Sequence, residues 1–101
     1  MYVHSVYFTY QSQIPEGEKD ILIADVYELL AHIPVVRKID AGRRDPDADR
    51  EVNDKDFHVG LTVYFDDKQG YDEYQVDEKH QAFVAKHKSN WASIRVYDFV
   101  S

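Results

Sequence analysis

Three histidines and a tyrosine are the residues of this chain best suited to moving a proton: His4, His58, His80 and Tyr74. An imidazole titrates close to neutrality, so a ring in a mostly apolar pocket can take a proton from carbon or return one to oxygen. A phenol beside it can steady an oxyanion. His4 lies on the parity of the opening segment that also holds Val6 and Phe8, and His58 lies on the parity of a later segment that holds Gly60. If those segments are neighbouring central strands, the two imidazoles lie close on one face, and Val6, Phe8 and Gly60 line the same pocket. His80 follows Tyr74 by six residues, at the start of a helical stretch. The same pattern also reads as two core histidines satisfied by backbone groups and one at a helix cap. His32 reads as a cation near a helix C-terminus, and His87, between Lys86 and Lys88, as a solvated ring. No HxH or HExxH motif occurs, so no metal site is expected. Asp66 and Asp67 read as helix caps instead.

Positioning these groups falls to a short series of elements. Tyr2 to Tyr10 (YVHSVYFTY) is rich in β-branched and aromatic types and reads as a strand with neither face plainly polar. Turn chemistry follows to Pro15. From Glu16 to Ile33, Leu22, Val26, Leu29, Leu30 and Ile33 recur at three- and four-residue spacing, which predicts an amphipathic helix stopped by Pro34. Val35 to Gly42 reads as a second strand, and the charged stretch Arg43 to Asp56 as a long solvated loop. Phe57 to Phe65 is the clearest strand. His58, Gly60, Thr62 and Tyr64 share one face, and Phe57, Val59, Leu61, Val63 and Phe65 form a wholly apolar opposite one. Such a face needs a cover, and a partner sheet from a second copy would supply it. Those five residues are the expected dimer interface. Helices are predicted at Lys68–Val76 and His80–Lys88, either side of a break at Asp77–Lys79, and a last strand at Ser93–Phe99. The order is β-α-β-β-α-β, an α+β, ferredoxin-like unit with a four-stranded antiparallel sheet.

The chain has 101 residues, enough for one domain spanning 1–101 and too few for a large core. With 12 Lys and Arg against 19 Asp and Glu, its formal charge is -7. That balance repels polyanions, so neither nucleic acid nor an anionic membrane is an expected partner. Thiolate chemistry is excluded because there is no cysteine. No leader or membrane-length apolar run is seen, and a cytoplasmic protein is the expectation. Aromatics reach 14%, mostly tyrosine, which fits a pocket or a subunit interface.

The opening His4-x-Val6-x-Phe8, the strand His58 to Phe65 followed by Asp66, the Tyr74–His80 spacing, Phe83, Trp91 and the closing Val96-Tyr97-Asp98-Phe99 occur in one order along nearly the whole chain. Together they resemble the stress-responsive dimeric α/β-barrel (Dabb) family, to which olivetolic acid cyclase of plants belongs. The resemblance implies a homodimer whose two sheets close into an α/β barrel, with a cleft between each sheet and its helices and no cofactor. It implies a catalytic base at His80, assisted by Tyr74, with His4 and His58 in the pocket and Phe83, Trp91, Ile94 and Val96 in its apolar wall. The family's His-Pro ahead of the matched histidine is replaced by Asp77-Glu78. Those carboxylates are expected to favour protonated His80 and to discourage an anionic substrate.

Three readings follow. One is a dimer of unassigned reaction that binds a small apolar or aromatic ligand. Another is an acid–base enzyme, a cyclase or isomerase acting on a carbonyl compound through His80 and Tyr74. The third is a structural building block of larger assemblies.

Overall fold

In the computed structural model, which covers residues 1–101, strand β1 (Tyr2–Tyr10) runs through the middle of the sheet. It pairs antiparallel with β3 (Val59–Phe65) on one side and with β4 (Trp91–Val100) on the other. Strand β2 (Lys38–Arg43) adds to β3, giving the order β2-β3-β1-β4. Helices α1 (Gly17–Glu28), α2 (Lys68–Val76) and α3 (Glu78–His87) complete the fold, with 3₁₀ turns at Leu30–His32 and Lys88–Asn90.

The predicted first helix stops early, and proline is the reason. Pro34 keeps Ile33 extended (φ -71°, ψ 124°), so the chain tightens into the 3₁₀ turn after Glu28. Pro34 and Val35 then form a turn closed by the Val36 amide on the Ile33 carbonyl at 3.0 Å, which delays β2 to Lys38. Leu22, Val26, Leu30 and Ile33 still fall on one buried face. Each contributes about 1.5–3 kcal/mol by leaving water.

Helices α2 and α3 are separated by a single extended residue, Asp77 (φ -64°, ψ 141°). The Asp67 carboxylate caps α2 by accepting from the Gly70 amide at 3.0 Å, and Asp77 caps α3 by accepting from the Lys79 amide at 2.8 Å. The helical path therefore turns at Asp77. This break brings the end of α2 and the first turn of α3 onto the same space.

The apolar alternation of β3 is real, but its direction is opposite to expectation. The pairing sets Phe8 against Val59, Val6 against Leu61 and His4 against Val63, so these residues share one face. That face meets the helices. Val59, Leu61, Val63 and Phe65 are buried core within one chain and cannot form a subunit interface. Phe57 precedes the strand and packs edge-on against Tyr7, ring centroids 5.0 Å apart, on the opposite side. Gly60 is on that opposite side too, where a Cβ would stand 3.3 Å from the Tyr7 ring. The side of the sheet away from the helices carries Ser5, Tyr7, Thr62 and Tyr97, with Ser5 and Thr62 hydroxyls bonded at 3.1 Å. Tyr97 and Phe99 remain half exposed there.

The charged segment between β2 and β3 is not wholly free. Arg95 of β4 grips the Asp54 carboxylate at 3.0 Å and the Asp56 carbonyl at 2.8 Å, and the Thr9 hydroxyl donates to the same carbonyl at 2.7 Å. Its end is thus folded back against the sheet.

Candidate functional site

Between the sheet and helices α2 and α3 lies a cavity of about 300 Å³. Its floor comes from the helix-facing residues of three strands: His4, Val6 and Phe8 of β1, Leu61 of β3, and Trp91, Ile94 and Val96 of β4. Tyr71, Tyr74 and Gln75 of α2 and His80, Phe83 and Val84 of α3 form the roof. Ten of the thirteen lining residues are hydrophobic, so the space suits an apolar or aromatic molecule with a small polar head.

The polar groups are concentrated on one side. The rings of Tyr74 and His80 stand 4.6 Å apart, inclined at 48°, brought together by the turn at Asp77. Tyr74 is buried, and no group of the chain takes its hydroxyl. Burial pushes its pKa far up, so it remains a donor at neutral pH. His80 Nδ1 lies 3.2 Å from the Gln75 carbonyl oxygen. A carbonyl only accepts, so Nδ1 carries the hydrogen and the neutral ring keeps its lone pair on Nε2.

The charge state of His80 departs from expectation. Burial lowers its pKa below 6.5, and the effect is larger than the opposing pull of the Gln75 hydrogen bond. Charge on His4 lowers it as well, and Asp77 raises it only weakly. Asp77 is engaged as a helix cap and does not dominate the ring. His80 is therefore held neutral, not protonated, near pH 7.

His4 sits across from this pair, its ring centroid 5.0 Å from Tyr71 and 6.2 Å from Tyr74. Its Nδ1 is 2.6 Å from the Asp98 carboxylate of β4. Tyr71 also stacks on Tyr2 at 4.7 Å, and burial, with Asp98 nearby, raises its pKa.

His58 is elsewhere. It precedes β3, where its Nδ1 accepts from the Tyr10 amide at 2.9 Å. Its other neighbours are Lys19, Arg44 and Phe57, away from the cavity, and burial lowers its pKa. His4 and His58 are thus not paired in one pocket, and Gly60 lines no part of it. The expected pocket residues Val6, Phe8, Phe83, Trp91, Ile94 and Val96 do come together with His4, Tyr74 and His80. His87 is not solvated: it is fully buried, with Nε2 2.6 Å from Asp25. No group of three or more His, Asp or Glu side chains stands where it could share a metal ion.

Sequence reasoning passed over Asp98 and Tyr71 as site residues and assigned Leu61 to the dimer interface, whereas it lines the cavity. Asp98 could have been found from parity, since it lies two and four residues after Val96 and Ile94 on the same face of β4. Tyr71 precedes Tyr74 by one helical turn.

The sequence matches the family described as Stress responsive A/B Barrel Domain over residues 3–101. No curated protein matches it. Among solved structures it is similar to a dimeric ferredoxin-like protein of unknown function from Thermobifida fusca (18% identity, TM-score 0.82, 99% of this chain and 90% of that one). It is also similar to a Dabb family protein with a ferredoxin-like fold from Mesorhizobium loti (23% identity, TM-score 0.80, 99% and 95%). A third similar structure is a hydroxynitrile lyase from Passiflora edulis (20% identity, TM-score 0.81, 99% and 92%).

Proposed function

The chain belongs to the stress-responsive A/B barrel domain family, and from that premise we propose that it is a homodimer whose cavity binds a small, neutral, apolar or aromatic carbonyl compound and transfers a proton next to the carbonyl. The observation that carries this reading is the pair Tyr74 and His80, 4.6 Å apart at the wall of an otherwise apolar space. His80 offers a lone pair on Nε2 while its Nδ1 is fixed by Gln75. Tyr74 offers a hydroxyl that no other residue uses. Proton abstraction from carbon needs a neutral base near the operating pH and a donor where negative charge collects. Burial supplies the first, and the Tyr74 hydroxyl supplies the second.

His80 Nε2 takes the proton from the carbon beside the carbonyl. The C–H electron pair becomes a carbon–carbon double bond, and the carbonyl π pair moves to oxygen, where Tyr74 donates a hydrogen bond. The resulting enolate can then be reprotonated, or can attack a second carbonyl in a cyclisation. The second subunit is inferred from the aromatic side of the sheet, where Tyr97 and Phe99 are half exposed, and from the dimeric relative.

Solvent deuterium exchange into benzoylacetone, followed by proton NMR, tests the proposal. The wild type is expected to accelerate exchange and His80→Ala to lose the acceleration while keeping its fold. Saturable binding with no exchange would leave a ligand-binding dimer and remove the enzymatic reading.

A further inference from the structure

His58, which the catalytic pair leaves unused, belongs to a second depression of about 410 Å³. It lies where the end of β2 and the approach to β3 meet the start of α1. Its polar side chains are Lys19, Arg43, Arg44, His58 and Glu16, and all but Glu16 can donate. The His58 Nδ1 accepts from the Tyr10 amide at 2.9 Å. The hydrogen of the neutral ring is therefore on Nε2, which bonds to no group of the chain. Arg44 is half-buried, gives Nη1 to the Asp45 carbonyl at 3.1 Å and pairs with no carboxylate.

Lys19 and Glu16 are unequal partners. Lys19 is 7% exposed, with its Nζ 2.5 Å from a Glu16 oxygen and 5.6 Å from the Tyr10 ring centre. The Glu16 side chain is 75% exposed, and its other oxygen takes Arg43 Nη1 at 3.0 Å. A buried ammonium needs an opposite charge, and here a side chain standing mostly in water provides it. Two further carboxylates stand outside the lining: Asp20, on Arg43 Nε at 3.0 Å, and Asp56, near His58. Glu16 is thus the one anion inside a ring of donors.

We propose that this depression binds a phosphate group, seated among Lys19, Arg43, Arg44 and His58 in the place that Glu16 now fills. A phosphate presents three terminal oxygens and close to two negative charges. That matches an imidazole N–H, a guanidinium fork and an ammonium better than the two oxygens of a carboxylate do. Glu16 leaves at small cost, because an exposed carboxylate is rehydrated as it lets go. The overall charge of -7 repels a polyanion, which needs a long basic surface. A single phosphate group needs only local donors, since charges beyond about 10 Å are screened by salt. Pro46 and Phe57 offer an apolar rim to any organic part of the ligand. The depression shares no residue with the cavity of Tyr74 and His80, so the two sites stand or fall separately.

The test titrates inorganic phosphate and phenyl phosphate into the ¹⁵N-labelled full chain at constant ionic strength, with chloride and acetate as controls. The Arg44 and His58 amide resonances should shift saturably with both phosphates and not with the controls. Tighter binding of phenyl phosphate assigns a phosphate monoester, and equal binding assigns the free ion. Arg44→Gln and His58→Gln should each weaken binding about tenfold, the scale of one hydrogen bond to a charged group. Glu16→Gln should bind about tenfold more tightly, because the competing carboxylate is gone, which a merely structural Glu16 would not produce. Should that variant fail to fold, Arg44→Gln decides alone, since its side chain bonds only to the neighbouring residue. His80→Ala should bind phosphate as the wild type does. No saturable shift, an equal response to chloride, an Arg44→Gln protein within twofold of wild type, or a folded Glu16→Gln that binds no tighter overturns the proposal.

Discussion

His87 Nε2 and the Asp25 carboxylate meet at 2.6 Å, joining α3 to α1 in a part of the core that is otherwise apolar. The carboxylate also receives Lys86 at 2.8 Å. Because His87 is fully buried and its Nδ1 already lacks a partner, removing Asp25 would leave the whole ring unpaired. Asp25→Ala is expected to cost about 2–3 kcal/mol in urea unfolding at pH 7. Burial pushes the Asp25 carboxyl up, but the bonds from Lys86 and His87 outweigh it and hold the pKa below 3.8. A lowered carboxylate stabilises the fold above its unfolded pKa and loses that effect as pH falls through the folded one. The gap between wild type and Asp25→Ala should therefore shrink below about pH 4.

Tyr74→Phe separates packing from chemistry. The ring is buried among Phe65, His4 and His80, while the hydroxyl has no partner in the chain. Deleting the oxygen should change stability by less than about 1 kcal/mol. The exchange rate should fall about 100-fold, the scale of one lost oxyanion donor. Thermal unfolding and the deuterium assay on the same sample check both.

The acid limb of activity should lie below pH 6.5, the ordinary value for histidine, because burial lowers the His80 pKa. The same shift affects stability. Between the lowered folded value and 6.5 the unfolded chain binds more protons, so stability rises with pH there. What His80 contributes is fully present above 6.5 and is lost as pH falls through its folded pKa. Proton uptake on unfolding, compared between wild type and His80→Phe at mildly acidic pH, measures this.

Phe99→Glu tests the aromatic side of the sheet. Phe99 is 54% exposed in the single chain, so a charge there should be tolerated by the fold. In a dimer closed over that surface it would be buried without a partner. Light scattering should report a monomer, with far-ultraviolet circular dichroism unchanged.

Much of the fold could be read from the sequence because its punctuation is strong. β1 and α2 have the predicted ends, since alternation and an Asp cap mark them directly. What alternation does not tell is which face of β3 meets the helices. A period of two gives the same apolar comb on either side, and a shift of one residue exchanges every side chain. The pairing of Val59 with Phe8 decides it, and that is a long-range fact. The same reversal placed His58 and Gly60 in the pocket and left Leu61 out. His87 was misjudged from its lysine neighbours. The useful signal was its four-residue spacing from Phe83, which puts both on the buried face of α3. Asp98 was missed because an acidic residue near the end of an edge strand usually faces water. Here the His4 imidazole draws it inward.

The most direct measurement is a crystal structure with benzoylacetone soaked into the cavity between the sheet and α2–α3. A carbonyl oxygen should lie within hydrogen-bond distance of the Tyr74 hydroxyl, with the central carbon facing His80 Nε2. Ligand seated on the Tyr97–Phe99 side of the sheet, or a His80 ring turned so that Nε2 points into bulk water, would contradict the account.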